Sequence, residues 1–447
     1  MQRIAHFSSR MVERYLPDAF MFLVGLTLIV FIAGLFKGFS LFEVALFWGN
    51  GFTNLFEFTM QSTLIMVAGF TLAHTPLINR FLKSLAYMAK NEVQVIIITV
   101  LIMMACSWVS WGFGLISGAI VAREMGKVHR DRIHYPLVVS AAYAGFIVWH
   151  AGYGAAIPQL IATEGHFLQE QIGLIPVTET IFSFQNLLSI AVLAVVIPLM
   201  FIWMRPKNPE DRIGFPDHAV EQMEKEEKAE KDKKTDPITK EYSPAEKLDT
   251  FRIITLLVGG LLLIYLIAYF INGGPIDLNR VIISFITIGL LLTPNIEEYR
   301  KTFKDGAGTA YSIIFQFPFY SAIMAVMLDT GFASDIAQFF VQFANAETLP
   351  FFSFISAGII NFFVPAGGAQ WAVQGPIMVE AANLINADIA KVAMGVAWGD
   401  AWTNYIQPFW ALPMLAIAGL GIRHIMGYTI ILLFVAGGIL GAIFLLF

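Results

Sequence analysis

The sequence predicts an all-α polytopic membrane protein in two halves of opposite topology, each carrying a re-entrant hairpin. Composition, the length of the apolar runs and the placement of Lys and Arg carry that reading. Of 447 residues, 57% are hydrophobic and 14% charged, and the mean hydropathy is +0.69. A soluble domain has an apolar share of only about 45–50%. Apolar runs recur at the length of roughly 20 residues that a helix needs to cross a bilayer core of about 30 Å. The 28 Lys and Arg fall in short blocks between those runs, as the cytoplasmic loops of membrane proteins require. A net charge of -5 offers no basic surface for nucleic acid. The single cysteine, Cys106, sits in an apolar stretch and closes no disulfide within the chain.

In chain order, Arg3, Arg10 and Arg14 precede an apolar run from Ala19 to Phe36 that lacks a small-residue cleavage motif, so a retained first helix is expected. Full spans are expected at about 18–37, 57–75, 135–163, 181–204, 251–271, 279–294, 308–330, 389–420 and 425–447. Two further runs, 93–125 and 349–386, are interrupted by Trp111 to Gly114 and by Pro365 to Gly368. Each arm is then about half a membrane deep or slightly more. With the amino terminus cytoplasmic and the carboxyl terminus periplasmic, only Lys37, Arg280 and Lys391 fall outside. That sorting requires 93–125 to enter from the cytoplasm and return, because Lys83, Lys90, Arg123 and Lys127 flank it. The run 349–386 dips in from the opposite face, between Asp335 and Glu347 on one side and Asp388 on the other. The resulting division is a first repeat over 1–204, a charged cytoplasmic linker over 205–250, a connector span over 251–278 and a second repeat over 279–447.

The halves share one order of elements, and within it His150 precedes Pro158 by the same interval as Asp400 precedes Pro408. Backbone freed from helical bonding at membrane depth is tolerated only inside protein or beside a water-filled cavity, so the breaks mark one cavity. Discontinuous helices aim their amino-terminal dipole ends at an anion there, here the returning arms expected to start near Leu115 and Trp371. This is the arrangement of inverted-repeat secondary transporters, with alternating access as the expected mechanism.

The residues expected to meet substrate are Ser110, Trp111 and Gly112 at the first tip and Gly367, Gly368, Gln370 and Trp371 at the second. His150, Thr403 and Asn404 join them from the interrupted spans. Seven tryptophans (Trp108, Trp111, Trp149, Trp371, Trp398, Trp402 and Trp410) are expected as cavity walls, with Trp111 and Trp371 nearest the tips. Ser107, Ser117, Gln374 and Gln407 offer further neutral hydrogen bonds. Asp400 and His150 are expected to carry the coupling ion, since a charge at the bilayer centre costs roughly 2.5–3.5 kcal/mol or more and His titrates near neutral pH. The alternatives are a neutral structural histidine and a helix-capping aspartate. No Arg or Lys lies near the expected midplane to clamp a second carboxylate, which favours one carboxylate with a short acyl tail. Such an acid is anionic at neutral pH, and moving one negative charge inward costs about 2.3 kcal/mol per 100 mV, which a co-transported cation would cancel. Proton or sodium is the expected coupling ion, with no other cofactor and no metal. No HExxH or GxSxG motif points to an intramembrane enzyme.

Five segments together resemble the bacterial short-chain fatty acid transporters of the acetoacetate and butyrate uptake type, within the ion transporter superfamily. They are VERYLPDAFMF, CSWVSWGFGLISGAIVARE, YAGFIVWHAGYGAAIP, NFFVPAGGAQWAVQGPIM and GDAWTNYIQPFWALP. The resemblance runs along nearly the whole chain. It implies uptake of a short-chain fatty acid anion across the inner membrane, a scaffold with an elevator-like moving domain, and a homodimer in the lipid. At the tips this chain has Ser110, Trp111, Gly112 and Pro365, Ala366, Gly367 where related dicarboxylate carriers have Ser-Asn-Thr. A carrier for a dicarboxylate or hydroxy acid, or an anion channel, are the alternative readings.

Overall fold

Apolar runs flanked by capping residues become helices throughout. The computed structural model describes residues 19–216, 220, 221, 223, 243–406 and 408–447, and no strand occurs among them. The expected basic block at Arg3, Arg10 and Arg14, most of the charged run of the linker, and Gln407 lie outside the described residues. The first half comprises α1 (Ala19–Phe36), α2 (Leu41–Gly51), α3 (Phe56–Ala73), α4 (Pro76–Met88), α5 (Glu92–Val109) and α6 (Trp111–His129). It continues with α7 (Tyr135–Ala144), a 3-10 turn (Gly145–Ala151), α8 (Ile157–Ile161) and α9 (Phe184–Met204). A connector, α10 (Arg252–Ile271), follows the linker. The second half runs through α11 (Leu278–Leu292), α12 (Ile296–Thr309), α13 (Tyr311–Asp329), α14 (Phe332–Phe340) and α15 (Leu349–Ile360). It closes with α16 (Gly367–Ile385), α17 (Ile389–Thr403), α18 (Pro408–Ala418) and α19 (Met426–Leu446).

Local chemistry sets many of the starts. Ser40 and Glu43 form a reciprocal capping box on α2, and Asp277, Asn295 and Asp388 cap α11, α12 and α17 through their side chains. Proline stands in the first turn of α4, α7 and α15, where its missing N–H costs no helical bond. Among the described residues α3, α5, α9, α10, α13 and α19 are long and apolar enough to cross a membrane.

Two features differ from the sequence expectation. Segments 76–88 and 296–309, expected as basic loops, are helices, and α2 and α14 are further short helices between spans. Each carries charge on one side and packs the other; α4 buries Leu82, Leu85 and Ala86 while Arg80 and Lys83 stay in its polar stripe. Averaging hydropathy along the chain mixes the two faces and hides such a helix. The arms of the first hairpin are also longer than half a membrane: α5 has 18 residues and α6 has 19, about 27 and 28 Å at 1.5 Å per residue.

The helices pack as two groups. α1, α2, α3, α11, α12 and α13 pack on one another, with α10 against α11. α5 to α9 pack with α15, α16, α17 and α19. The groups meet where α3 lies on α6 and α13 lies on α16. Polar contacts also tie distant segments together. Lys37 pairs with Asp335 at 2.8 Å, Arg280 with Asp277 at 2.8 Å, and the Leu278 N–H donates to Thr163. Arg212 pairs with Glu92 at 3.1 Å and the Ile213 N–H donates to His134 Nδ1. Burial holds His134 below the usual histidine range, and the nearby Arg212 adds to the effect.

Candidate functional site

The site is built where helices stop. α5 ends at Val109, Ser110 is extended, and α6 begins at Trp111 and returns antiparallel to α5. A Cβ on Gly114 would lie 2.3 Å from Ser107 Oγ, so glycine is what lets the two arms approach. In the second hairpin α15 ends at Ile360 and α16 begins at Gly367, with Gln370 Nε2 donating back to Ala357 O at 2.9 Å. Both returning helices therefore begin four residues earlier than the sequence suggested, at Trp111 rather than near Leu115 and at Gly367 rather than near Trp371. The glycines expected to break the hairpins are the first turns of these helices.

The two interrupted spans are tied to each other at their breaks. Tyr143 OH donates to Asn404 O at 2.8 Å, and Tyr405 OH donates to Ala144 O at 2.5 Å. Just beyond, His150 Nδ1 lies 2.9 Å from Asp400 Oδ2, and both side chains are 1% exposed. The Ile157 N–H donates to His150 Nε2 at 3.1 Å. A backbone amide has only a proton to offer, so Nε2 is the acceptor and Nδ1 carries the ring proton. The imidazole is neutral and donates to the carboxylate. Asp400 Oδ1 is buried with no hydrogen-bond partner among the described residues.

Asn361, at the head of the second tip, fastens that tip to the same place. Its Nδ2 lies 2.8 Å from Asp400 O and 2.9 Å from both Thr403 Oγ1 and Asn404 Oδ1. Asn186 on α9 donates to Ala151 O and accepts from Trp398 Nε1 at 2.9 Å, which braces the 3-10 turn. Gly367 packs against the His150 ring so closely that a Cβ there would lie 2.3 Å from Cε1. Gly154 packs against the first tip, where a Cβ would lie 2.3 Å from Ser110 Cα.

Between the two tips lies a cavity of about 40 Å³, on the order of three to four water-sized groups. Trp111 borders it from the first tip, Ala366, Gly367 and Gly368 from the second, and Trp149 and Trp410 from the interrupted spans. α3 and α13 close the other side with Phe58, Ser62, Ile65, Ile313 and Phe317. Its described lining contains no Lys, Arg, Asp or Glu. Trp111 and Trp410 meet edge to face at 5.1 Å, and Trp149 stacks on His150 at 4.1 Å. Ser110 precedes α6 and Ala366 precedes α16, yet neither supplies a side-chain cap. The first-turn N–H groups of two helices are thus left uncapped beside the cavity. Trp149 Nε1 is also buried with no hydrogen-bond partner among the described residues. These donors suit a carboxylate, and the aromatic walls suit an alkyl chain.

Two more cavities adjoin this one. A polar one of about 80 Å³ is bordered by Glu57, Gln61, Thr163, Glu164 and His166 and shares Phe58 with the central cavity. Burial lowers the His166 pKa, against an opposing hydrogen bond to Gly173 O. An apolar one of about 320 Å³ shares Trp111, Ile313 and Trp410.

The structure gathers most of the expected residues around these breaks. Trp111, Gly367 and Gly368 border the central cavity. Ser110 lies buried at the first tip, Gly112 packs on Met66 of α3, and His150 and Asp400 pair behind the cavity wall. Thr403 and Asn404 accept from Asn361, and Gln370 joins the arms of the second hairpin while also donating to Gln374. Trp371, fully buried, packs against Gly375 outside the cavity lining. Trp108 packs on Tyr153 and Phe182, and Trp402 stacks on Phe354. Sequence reasoning missed Asn361 and three phenylalanines that border the central cavity, Phe58, Phe146 and Phe317. An amide inside the apolar run before Pro365 was a usable signal for Asn361, whereas nothing local separates the phenylalanines from ordinary packing residues.

The fold and the site can be set beside known proteins. A family model described as "Short chain fatty acid transporter" matches residues 1–447. A protein of Escherichia coli (strain K12), itself a candidate short-chain fatty acid transporter, is 39% identical over 439 residues, 97% of each chain. A candidate of the same kind from Haemophilus influenzae (strain ATCC 51907 / DSM 11121 / KW20 / Rd) is 35% identical over 439 residues, 96% of each chain. The crystal structure of the Alcanivorax borkumensis YdaH transporter superposes with a TM-score of 0.60 at 12% identity, covering 95% of this chain and 98% of that one. That last likeness is one of fold.

Proposed function

Because this chain belongs to the short-chain fatty acid transporter family, and is an integral membrane protein rather than an enzyme, we propose that it takes up butyrate- or acetoacetate-like monocarboxylates across the bacterial inner membrane by cation symport. The observation that carries this reading is the central cavity, where two uncapped helix amino termini and the unpartnered Trp149 indole N–H adjoin apolar walls without a cationic side chain. Helix termini and an indole stabilise one carboxylate. A second carboxylate would have no guanidinium or ammonium to meet it, which disfavours a dicarboxylate.

His150 and Asp400 are the coupling pair in this reading. With His150 donating to Oδ2, a deprotonated Asp400 would hold a buried negative charge, and its Oδ1 has no hydrogen-bond partner among the described residues. One proton on that oxygen neutralises it, and one proton per carboxylate anion makes transport electroneutral, removing the cost of about 2.3 kcal/mol per 100 mV. A single acceptor atom suits a proton better than sodium. The pair lies behind Gly367, so its protonation state acts on the tip that borders the cavity. The two helix groups serve as scaffold and elevator-like transport domain, the halves on either side of α10 are inverted repeats, and the protein works as a homodimer. The amino terminus is cytoplasmic and the carboxyl terminus periplasmic.

The test is uptake of labelled butyrate by proteoliposomes under an imposed proton or sodium gradient, with acetate, butyrate, acetoacetate and succinate as competitors. Accumulation under the proton gradient, with the monocarboxylates competing best, is expected. Succinate as the strongest competitor overturns the substrate assignment, and accumulation under neither gradient overturns symport. Counterflow of labelled butyrate, expected here, separates a carrier from a channel.

A further inference from the structure

The central cavity and the larger apolar cavity are neighbours, and what stands between them is specific. Both are bordered by Trp111, Ile313 and Trp410 and by no other residue in common. The two indoles close edge to face at 5.1 Å, and Trp410 Nε1 donates to Pro365 O at 2.9 Å, which pins that ring to the second tip. Beyond this wall the space is about 320 Å³ against about 40 Å³ on the substrate side. Its border is mostly apolar, with Met66, Phe70, Leu115 and Ile116 on it beside the polar Thr309 and Ser312. An alkyl chain could be buried favourably on the far side and is kept from it by two rings and one isoleucine.

We propose that the Trp111–Trp410 pair, backed by Ile313, is the acyl-chain stop of this transporter, limiting its substrates to short acids by separating the carboxylate cavity from an apolar cavity able to hold a longer tail. The inference rests on the reading that the central cavity binds the carboxylate. It follows from sizes and surfaces. A cavity of about 40 Å³ is filled by a few carbon atoms, and each further methylene then meets the paired Trp111 and Trp410 rings. Each methylene that gains apolar burial should tighten binding about fourfold, and that gain must end where the ring begins. Trp111 starts the returning helix of the first tip and Trp410 is bonded to the second, so the stop is assembled only when both tips are in place.

The experiment compares saturated acids from acetate to decanoate by ligand-induced thermal stabilisation of the purified full-length protein and by competition with labelled butyrate in proteoliposomes. In the unaltered protein, affinity is expected to rise to about butyrate and then fall. In Trp111→Ala, which joins the two cavities, the rise should continue to octanoate, at least tenfold tighter than in the unaltered protein. Ile313→Ala opens the same wall with loss of fewer atoms and should extend the series by about one or two carbons, which keeps the test valid if the tryptophan variant does not fold. Leu115→Phe alone, which narrows only the larger cavity, should leave butyrate binding unchanged. Combined with either opening variant, it should abolish the gain for octanoate. An unchanged chain-length profile in a folded opening variant overturns the proposal, as does a gain that persists when Leu115→Phe is added. If the unaltered protein binds no fatty acid at all, the functional reading itself fails, a result distinguishable from either of these.

Discussion

His150 and Asp400 are 250 positions apart in the chain and 2.9 Å apart in the fold. Their equal interval to a following proline was visible in the sequence, and so was their depth within apolar runs. Their contact was not, because nothing along the chain says that two breaks in different halves will be laid side by side. The Ile157 amide is what assigns the proton: by donating to Nε2 it fixes the Nδ1–H tautomer, which turns the ring proton toward Asp400. Asp400→Asn keeps an oxygen to accept from His150 while removing the ability to ionise. Gradient-driven butyrate accumulation should then fall to the equilibrium level, with counterflow and thermal stability retained. Unchanged accumulation in that variant would exclude Asp400 from coupling. Asn361 shows the opposite case, a residue whose importance lies in three acceptors gathered from another helix.

At the scale of elements, the hairpins were legible as interrupted apolar runs, and their glycines were read as breaks. The structure puts those glycines inside the returning helices, where they serve close packing instead of chain reversal. The reversal at the first tip needs only Ser110 in an extended conformation. Glycine content alone cannot separate the two uses, since the difference lies in what stands opposite. That difference is measurable. At Gly154 a Cβ would lie 2.3 Å from Ser110 Cα, a backbone atom unable to move aside, whereas at Gly25 in α1 no atom lies within 4 Å. Gly154→Ala should destabilise the protein by about 1–3 kcal/mol, read as a lowered melting temperature in detergent and as weakened butyrate binding. Gly25→Ala should be neutral or stabilising by roughly 0.5–1 kcal/mol. Equal melting temperatures for the two variants would show that the break at 152–156 is not packed on the first tip as described. The amphipathic helices α2, α4, α12 and α14 escaped the hydropathy reading for a related reason: their apolar faces are legible only once the helical period is assumed.

Across the whole molecule, α3 and α13 of one helix group face α6 and α16 of the other, and the central cavity lies on that boundary. An elevator mechanism requires the boundary to slide. Gly69 on α3 and Ser110 at the first tip offer a direct test, since a Cβ on Gly69 would lie 3.5 Å from Ser110 Cβ, within the roughly 3.5–4.5 Å span of a disulfide. A Gly69→Cys, Ser110→Cys pair in a Cys106→Ser background should cross-link on oxidation, reduce butyrate uptake at least tenfold and recover on addition of dithiothreitol. Full uptake by the cross-linked protein would reject relative motion at this boundary. The helical membrane class, the interruptions in the two apolar runs and the family were all legible along the chain, because hydropathy, charge placement and contiguous motifs are properties of neighbouring residues. Which tryptophans border the cavity, which ring nitrogen of His150 carries the proton and which glycines pack instead of turn became visible in the folded chain alone. Those outcomes depend on atoms brought within a few ångströms from opposite halves of the chain, a distance that linear order does not encode.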